Sequence, residues 1–183
     1  VIFSGDGAHP DRSANYDDGL AAADSTTLPV MPELTHDDPL TIMYTSGTTG
    51  RPKGAIITHG MSFWNSVNLA ELHDLSRSMV NICFLPLFHT GGSALSVLGC
   101  VSKKLTQVLV PLFDPGLVIE LSQTYRSNAM LGVPTMLVAI LEHPDFPDAD
   151  LTSLKALCSG GSLVPEQLVR TFEDKLGAPF TIV

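Results

Sequence analysis

Ala129-Met130-Leu131-Gly132-Val133-Pro134-Thr135-Met136-Leu137-Val138-Ala139-Ile140-Leu141 runs for thirteen residues without a charge. Pro134 divides it. Proline has no backbone N–H and a fixed φ, so it ends a central strand but opens a helix well, where its missing donor would have had no partner. The reading is a buried strand over residues 129–133 and a helix over residues 135–143, with Pro134 in its first turn. The whole run is too short to cross a bilayer, which takes about 20 apolar residues. A strand without polar alternation is covered on both faces, as strands of parallel sheets are.

The same unit repeats on either side. Residues 81–85 form an apolar run closed by Pro86, and residues 107–112 form a β-branched one. Between them, 89–92 is a break and 93–101 reads as a helix of small apolar residues. Asp114-Pro115-Gly116 is a turn before a helix over 117–125. Downstream come an acidic loop at 144–150, a strand over 154–158 and the turn Ser159-Gly160-Gly161-Ser162. A helix over 166–176 is opened by Pro165 and stopped by Gly177, and a strand begins at 180–183. This alternation predicts an α/β fold, a mostly parallel sheet with helices on both faces. Ligands in such sheets sit at the carboxyl ends of the strands.

The first part of the chain is less regular. Residues 1–5 read as a short strand and 16–24 as a short helix. Residues 25–39, with three prolines, read as a linker. Residues 40–44 and 55–57 read as strands around a loop at 45–54. Thr58 is placed to cap a helix on which Phe63, Val67 and Ala70 make an apolar stripe. Phe63, Trp64 and Val67 are expected in the core. The chain is therefore divided into an acidic entry segment and linker, 1–39, and a core carrying the glycine-rich loop, 40–183.

Composition excludes several classes. The chain has 183 residues, 44% of them apolar and 16% charged, which is globular. Of the net charge of −9, residues 1–40 carry eight acids against Arg12 alone, leaving −2 for the rest. No basic cluster exceeds Lys103-Lys104, which argues against nucleic acid and anionic membranes as partners. Cys83, Cys100 and Cys158 are odd in number, far apart and set in apolar runs. They are expected to be buried small hydrophobes in a reducing, cytoplasmic compartment. No basic-then-apolar leader is expected, and the oligomeric state is not legible.

The informative stretch is Tyr44-Thr45-Ser46-Gly47-Thr48-Thr49-Gly50-Arg51-Pro52-Lys53-Gly54. Successive backbone N–H groups among glycines make an anion-binding nest. Ser46, Thr48 and Thr49 add hydroxyl donors, and Lys53 adds a mobile charge suited to phosphate. That set suits a polyphosphate. It is not a Walker A loop, because Pro52 stands where that motif has glycine before its lysine.

These eleven residues, continuing through Thr58-His59, resemble the phosphate-loop signature of the adenylate-forming (AMP-binding) superfamily, which includes acyl- and aryl-CoA synthetases. Pro86-Leu87-Phe88-His89-Thr90-Gly91-Gly92 resembles that family's second motif, between the nucleotide and the acyl pocket. Leu157-Cys158-Ser159-Gly160-Gly161-Ser162 resembles the segment that borders the adenine, although Leu163 stands where relatives often have proline. Residues 16–20 resemble a short acidic helix that often precedes the phosphate loop. The chain is thus expected to be an internal piece of the large N-terminal domain. Expected beyond it are a Tyr-Gly-x-Thr-Glu motif, a ribose-binding Asp and a C-terminal domain with a catalytic Lys, so this stretch by itself is expected to lack turnover.

The resemblance implies activation of a carboxylic acid by ATP to acyl-AMP, then transfer to a thiol, with CoA the expected acceptor and Mg2+ on the nucleotide. Fatty acid metabolism is one setting for that chemistry. Lys53 and His89 are implied as catalytic. Thr45, Ser46, Gly47, Thr48, Thr49, Gly50, Lys53, Gly160, Gly161 and Ser162 are implied as nucleotide-binding, with Thr49 the candidate toward Mg2+. The neighbourhood of Val133-Pro134-Thr135 is implied to line the acyl pocket, and His59 has either a structural or a site role. The alternatives are a non-catalytic nucleotide-binding fragment and the adenylation domain of a peptide synthetase. A hydrolase using His89-Thr90-Gly91-Gly92 as an oxyanion loop lacks a G-x-S-x-G elbow. His9, His36, His73 and His143 lack metal-ligand spacing. Asp145, Asp148 and Asp150 lack the glycine and closing glutamate of a calcium loop.

Overall fold

The computed structural model describes residues 2–3, 14–24, 26–27, 30, 32–45, 50–73 and 78–183. They belong to two compact units, Val1–Leu34 and Thr35–Val183. In the first, β1 (Ile2–Phe3) pairs in parallel with β2 (Ala14–Asn15). Helix α1 (Tyr16–Ala22) follows at once. The Asn15 carboxamide oxygen accepts the N–H groups of Asp17 (2.7 Å) and Asp18 (3.2 Å), which fixes where the helix begins. Asp17 and Asp18 also place negative charge at the positive end of the helix dipole.

The second unit opens with an antiparallel hairpin, β3 (Pro39–Thr45) and β4 (Lys53–Thr58). β4 begins two residues earlier than the sequence suggests, because Lys53 and Gly54 complete the ladder opposite Thr45 and Tyr44. Thr58 Oγ1 accepts the N–H of Met61 (3.2 Å) and so caps α2 (His59–His73), as its position predicts.

β5 (Val80–Cys83) then enters a five-stranded sheet. The segment Gly91–Leu98 is a π-helix that continues as α3 (Gly99–Lys103). β6 (Thr106–Leu109), α4 (Pro115–Thr124), β7 (Ala129–Gly132), α5 (Pro134–Leu141), β8 (Ala156–Ser159), α6 (Glu166–Leu176) and β9 (Phe180–Ile182) complete the order. The helix expected over 93–101 therefore starts at the two glycines and has wider turns. Side chains tie that wider backbone: Asn65 Nδ2 donates to Ala94 O (3.2 Å) and Ser93 Oγ to His89 O (2.9 Å). Asp114 caps α4 by accepting the Leu117 N–H (2.7 Å), and Pro115 supplies the preset first turn.

All pairings in the sheet are parallel and its order is β6-β5-β7-β8-β9. The chain leaves β5 toward β6 on one side and returns to β7 on the other, so the order reverses between β5 and β7. The α/β expectation holds, with the hairpin as a separate antiparallel sheet. One face of the sheet packs α4, α5 and α6 through Ile82, Met130, Leu137, Ile140, Leu157 and Phe172. On α6, Leu168, Phe172 and Leu176 are buried at i, i+4 and i+8, and Arg170 pairs with Glu166 on the outer side.

The aromatic stripe of α2 does not enter the core. Phe63 is 51% exposed and Trp64 58%. α2 faces the π-helical segment and α3 with Asn65, Ser66 and Leu69 instead, where the small Gly99 permits close approach. Phe63 stacks on His36 (5.4 Å) and Trp64 packs edge-on against Phe63 (5.3 Å).

Candidate functional site

Three strands deliver their following residues to one cleft. Leu85, His89, Thr90 and Gly91 follow β5, Val133 follows β7, and Gly160 and Gly161 follow β8. Leu95 of the π-helical segment and Val183 close the sides of a volume of about 140 Å³. The cleft lies past the carboxyl ends of the strands at the point where the strand order reverses.

The wall containing His89 is built by close packing. A Cβ on Gly92 would stand 2.3 Å from Pro86 O and 2.7 Å from Leu85 O, so only glycine lets the turn fold on itself. The Pro86 carbonyl accepts the His89 N–H (3.1 Å). The His89 ring accepts the Gly91 N–H at Nδ1 (3.2 Å), with Thr90 Oγ1 also 3.5 Å from that nitrogen. With Nδ1 used as an acceptor, the neutral ring carries its proton on Nε2. On the opposite wall Gly161 has φ +79°, a left-handed conformation that glycine adopts without strain. Two residues before it, Ser159 is fully buried and its hydroxyl has no hydrogen-bond partner among the described residues.

The phosphate-loop residues are only partly described. Ser46, Gly47, Thr48 and Thr49 lie outside the described residues. Thr45 and Lys53 are register partners on β3 and β4, both exposed, and Gly50 has φ +76°. A second cleft of about 370 Å³ separates Thr41, Ile42, Met43 and Tyr44 of β3 from Leu87, Phe88 and Ser93. Residues 87–93 thus stand between the hairpin on one side and the cleft with Gly160 and Gly161 on the other. Ser162 is exposed beyond Gly161, and Leu163 is 90% exposed.

Beside the cleft lies a smaller cavity of about 40 Å³ between the sheet and the π-helical segment. The two share Leu95, Leu131 and Val183. Sequence reasoning passed over these three residues, and also Leu85, Asn81 and Ser96. Apolar strand residues look alike in sequence whether they pack a core or line a pocket. The signal available was position, because each follows or faces a strand that ends at the cleft. Val133 lines the cleft as expected, whereas Pro134 is buried and Thr135 exposed.

His59 donates its backbone N–H to Asp38 O (3.0 Å) at the start of α2. The Thr35 backbone N–H and hydroxyl hold the Asp38 carboxyl below its ordinary range, with a smaller contribution from His59. All three cysteines are buried thiols, and burial pushes Cys100 and Cys158 up to about 12. Asp145, Asp148 and Asp150 are exposed, and the described residues hold no group of three His, Cys, Asp or Glu able to bind a metal. No described helix is long and apolar enough to cross a membrane.

Parallel α/β domains bind ligands past the carboxyl ends of their strands at such a reversal, so the class is a ligand-binding α/β domain. The family follows from the sequence: residues 3–183 match the model of the AMP-binding enzymes, and the chain belongs to that family. It is 42% identical over 139 residues to a feruloyl-CoA synthase of Amycolatopsis, covering 76% of this chain and 28% of that protein. It is 37% identical over 163 residues to an indoleacetate–CoA ligase of Aromatoleum aromaticum, covering 89% of this chain and 32% of that protein. The inhibitor-bound N-terminal domain of FACL13 from Mycobacterium tuberculosis superposes with a TM-score of 0.81 at 29% identity, over 89% of this chain and 40% of that one. The chain spans under a third of the length of these two curated relatives.

Proposed function

We propose that the protein containing this chain is an AMP-forming acid–thiol ligase, which activates a carboxylic acid with ATP and passes the acyl group to CoA. The observation that carries the reading is the cleft at the strand-order reversal. Its walls are the His89 turn and the Gly160-Gly161 turn, and residues 87–93 connect it to the hairpin that bears Lys53. CoA as acceptor and an aryl or acyl acid as substrate are supported by the two curated relatives, each by name a CoA synthase or ligase. The three buried cysteine thiols support a reducing cytoplasmic setting.

The residues divide the work as follows. Thr45, Ser46, Gly47, Thr48, Thr49, Gly50 and Lys53 hold the phosphates of ATP. Gly160, Gly161 and Ser162 border the base, where the two glycines project no side chain into the cleft. His89 presents Nε2–H toward the carboxylate beside the α-phosphate. The acid attacks the α-phosphorus and pyrophosphate leaves, so charge grows on oxygens that fixed donors stabilise. Lys53 offsets charge at the pyrophosphate end. The described residues do not form a protein-held magnesium site, and no step is routed through the metal. Thr49 is the one protein group assigned toward it.

The test is ATP–pyrophosphate exchange by the full-length protein against a panel of carboxylic acids. Acid-dependent exchange followed by thioester formation on adding CoA is the expected result. ATP binding without exchange for any acid would establish the non-catalytic alternative.

A further inference from the structure

The π-helical segment has little reason of its own to hold its shape. Gly91 and Gly92 open it, and glycine is a poor helix former. π-Turns are rare and occur mostly at functional sites. Side chains hold this one from three directions. At its start the Ser93 N–H and hydroxyl both donate to His89 O (3.0 and 2.9 Å). Asn65 Nδ2 of α2 donates to Ala94 O (3.2 Å), and Asn81 Nδ2 of β5 donates to Ser96 Oγ (2.9 Å). Among the described residues, the Asn65 bond is the one hydrogen bond that joins α2 to residues 89–103. It grips the carbonyl next to Leu95, which lines the cleft together with His89, Thr90 and Gly91. α2 in turn follows directly on β4, whose first residue is Lys53.

We propose that Asn65 is a positioning residue, which ties the strand and helix that follow Lys53 to the wall that carries His89. The inference rests on the ligase reading above and deepens it. In-line attack of a carboxylate on the α-phosphorus needs both reactants in place at once, the phosphates at the hairpin and the carboxylate at the His89 wall. A misplacement of about 1 Å between them costs up to about a hundredfold in rate. Asn65 itself lines neither the cleft nor the gap beside the hairpin. It acts through Ala94 O on the wide turn, and through that turn on where Leu95 and His89 stand. Without this donor the segment is free to tighten toward an ordinary α-helix, in which each N–H reaches back four residues instead of five. That change would turn the side chains along it away from the cleft. Asparagine is also a weaker helix former than alanine, so its place inside α2 does not serve the stability of the helix itself.

The experiment measures kcat and KM in pyrophosphate exchange by the full-length protein, with the carboxylic acid that the wild type turns over fastest. Asn65→Ala is expected to lower kcat by about ten- to a hundredfold. KM for ATP should move by less than about twofold, the split expected when placement rather than binding is lost. Asn65→Gln, which keeps the donor on a longer stem, is expected to regain at least about threefold of the lost kcat. Leu69→Ala is the control, because Leu69 lies one turn further along α2 and packs against Gly99 of α3. It should lower the urea midpoint and leave kcat within about twofold. In the wild type, the Asn65 carboxamide protons should exchange with water about tenfold more slowly than those of exposed Asn68, a measurement that decides the matter even where a variant does not fold. Equal proton exchange at the two carboxamides, an unchanged kcat in Asn65→Ala, no recovery in Asn65→Gln, or the same kcat loss in Leu69→Ala would each overturn the inference and leave the ligase reading standing. Pyrophosphate exchange with no acid at all would overturn both.

Discussion

Thr45 and Lys53 face each other across the β3–β4 ladder as register partners, one at the last residue of its strand and the other at the first. Directly opposed residues of an antiparallel pair project to the same face, about 5 Å apart. The hairpin therefore places a hydroxyl and an ammonium side by side where residues 46–49 connect the strands. A strand residue also carries its charge on a firmer base than a loop residue does. The register thus gives Lys53 a fixed origin from which its long stem reaches a phosphate.

On this basis Lys53→Ala slows adenylate formation by about a hundredfold, the usual loss for one fixed charge at a transition state. Transfer to CoA from a supplied acyl adenylate changes by less than about threefold, since pyrophosphate has already left when that step occurs. The half-reactions are measured separately, by pyrophosphate exchange and by thioester formation. An equal loss in both would remove Lys53 from the pyrophosphate end.

His89 yields a prediction about a single proton. Its Nδ1 accepts the Gly91 N–H, so the neutral ring is the Nε2–H tautomer with its donor free for the cleft. Nitrogen-15 NMR of labelled protein reads the tautomer directly. His89→Ala then lowers acid-dependent exchange by about a hundredfold, in the range of a lost positioned donor. A ring found protonated on Nδ1 would contradict both the geometry and the role.

The sheet was legible because its signals are local. Pro134 after an apolar strand, Asp114 before Pro115, and Gly177 after α6 each mark an element boundary by backbone chemistry alone. The Lys53 register was not, since strand pairing is set by the partner strand. The exposure of Phe63 and Trp64 was missed for a different reason. Helical spacing identifies an apolar stripe, but which face packs depends on the neighbour. Here the neighbour offers Ala94 O and the small Gly99 to Asn65 and Leu69. At the site, His89, Gly160 and Gly161 stood out by type and motif. Leu95, Leu131, Asn81 and Ser96 did not, because only the fold brings a π-helical turn over the middle of the sheet.

The buried thiols make stability depend on pH in the alkaline range. Burial raises Cys100 and Cys158 to about 12 from an ordinary value of 9.0. Folding favours the neutral thiol, so this contribution is fully present below about pH 9 and is lost as pH rises toward 12. Urea midpoints should be flat between about pH 7 and pH 8.5 and fall above about pH 9.5. Alkylation of both cysteines at about pH 8 should be slow in the native protein and fast in urea. Rapid native labelling would show that the sites open.

Gly92 is where the fold and the site depend on the same atom. An alanine Cβ there would stand 2.3 Å from Pro86 O and 2.7 Å from Leu85 O, both backbone atoms, so the chain itself must move. The Pro86 carbonyl accepts the His89 N–H, so that movement shifts His89 as well. At neighbouring Gly91 the nearest atom is the Leu85 Cδ1 at 3.2 Å, the end of a side chain that can turn aside. Both positions lie in the π-helical segment, where alanine is favoured over glycine by about 1 kcal/mol on helix propensity. At Gly91 that gain offsets a soft contact, and Gly91→Ala should change stability by less than about 1 kcal/mol. At Gly92 the clash outweighs it, and Gly92→Ala should lose about 1–3 kcal/mol in urea unfolding, as overpacking does. Exchange activity of Gly92→Ala should fall even below its unfolding transition, because His89 leaves its place on the cleft wall. Matching stability for the two variants would show that the turn of residues 85–92 relaxes freely and that His89 is not held by it.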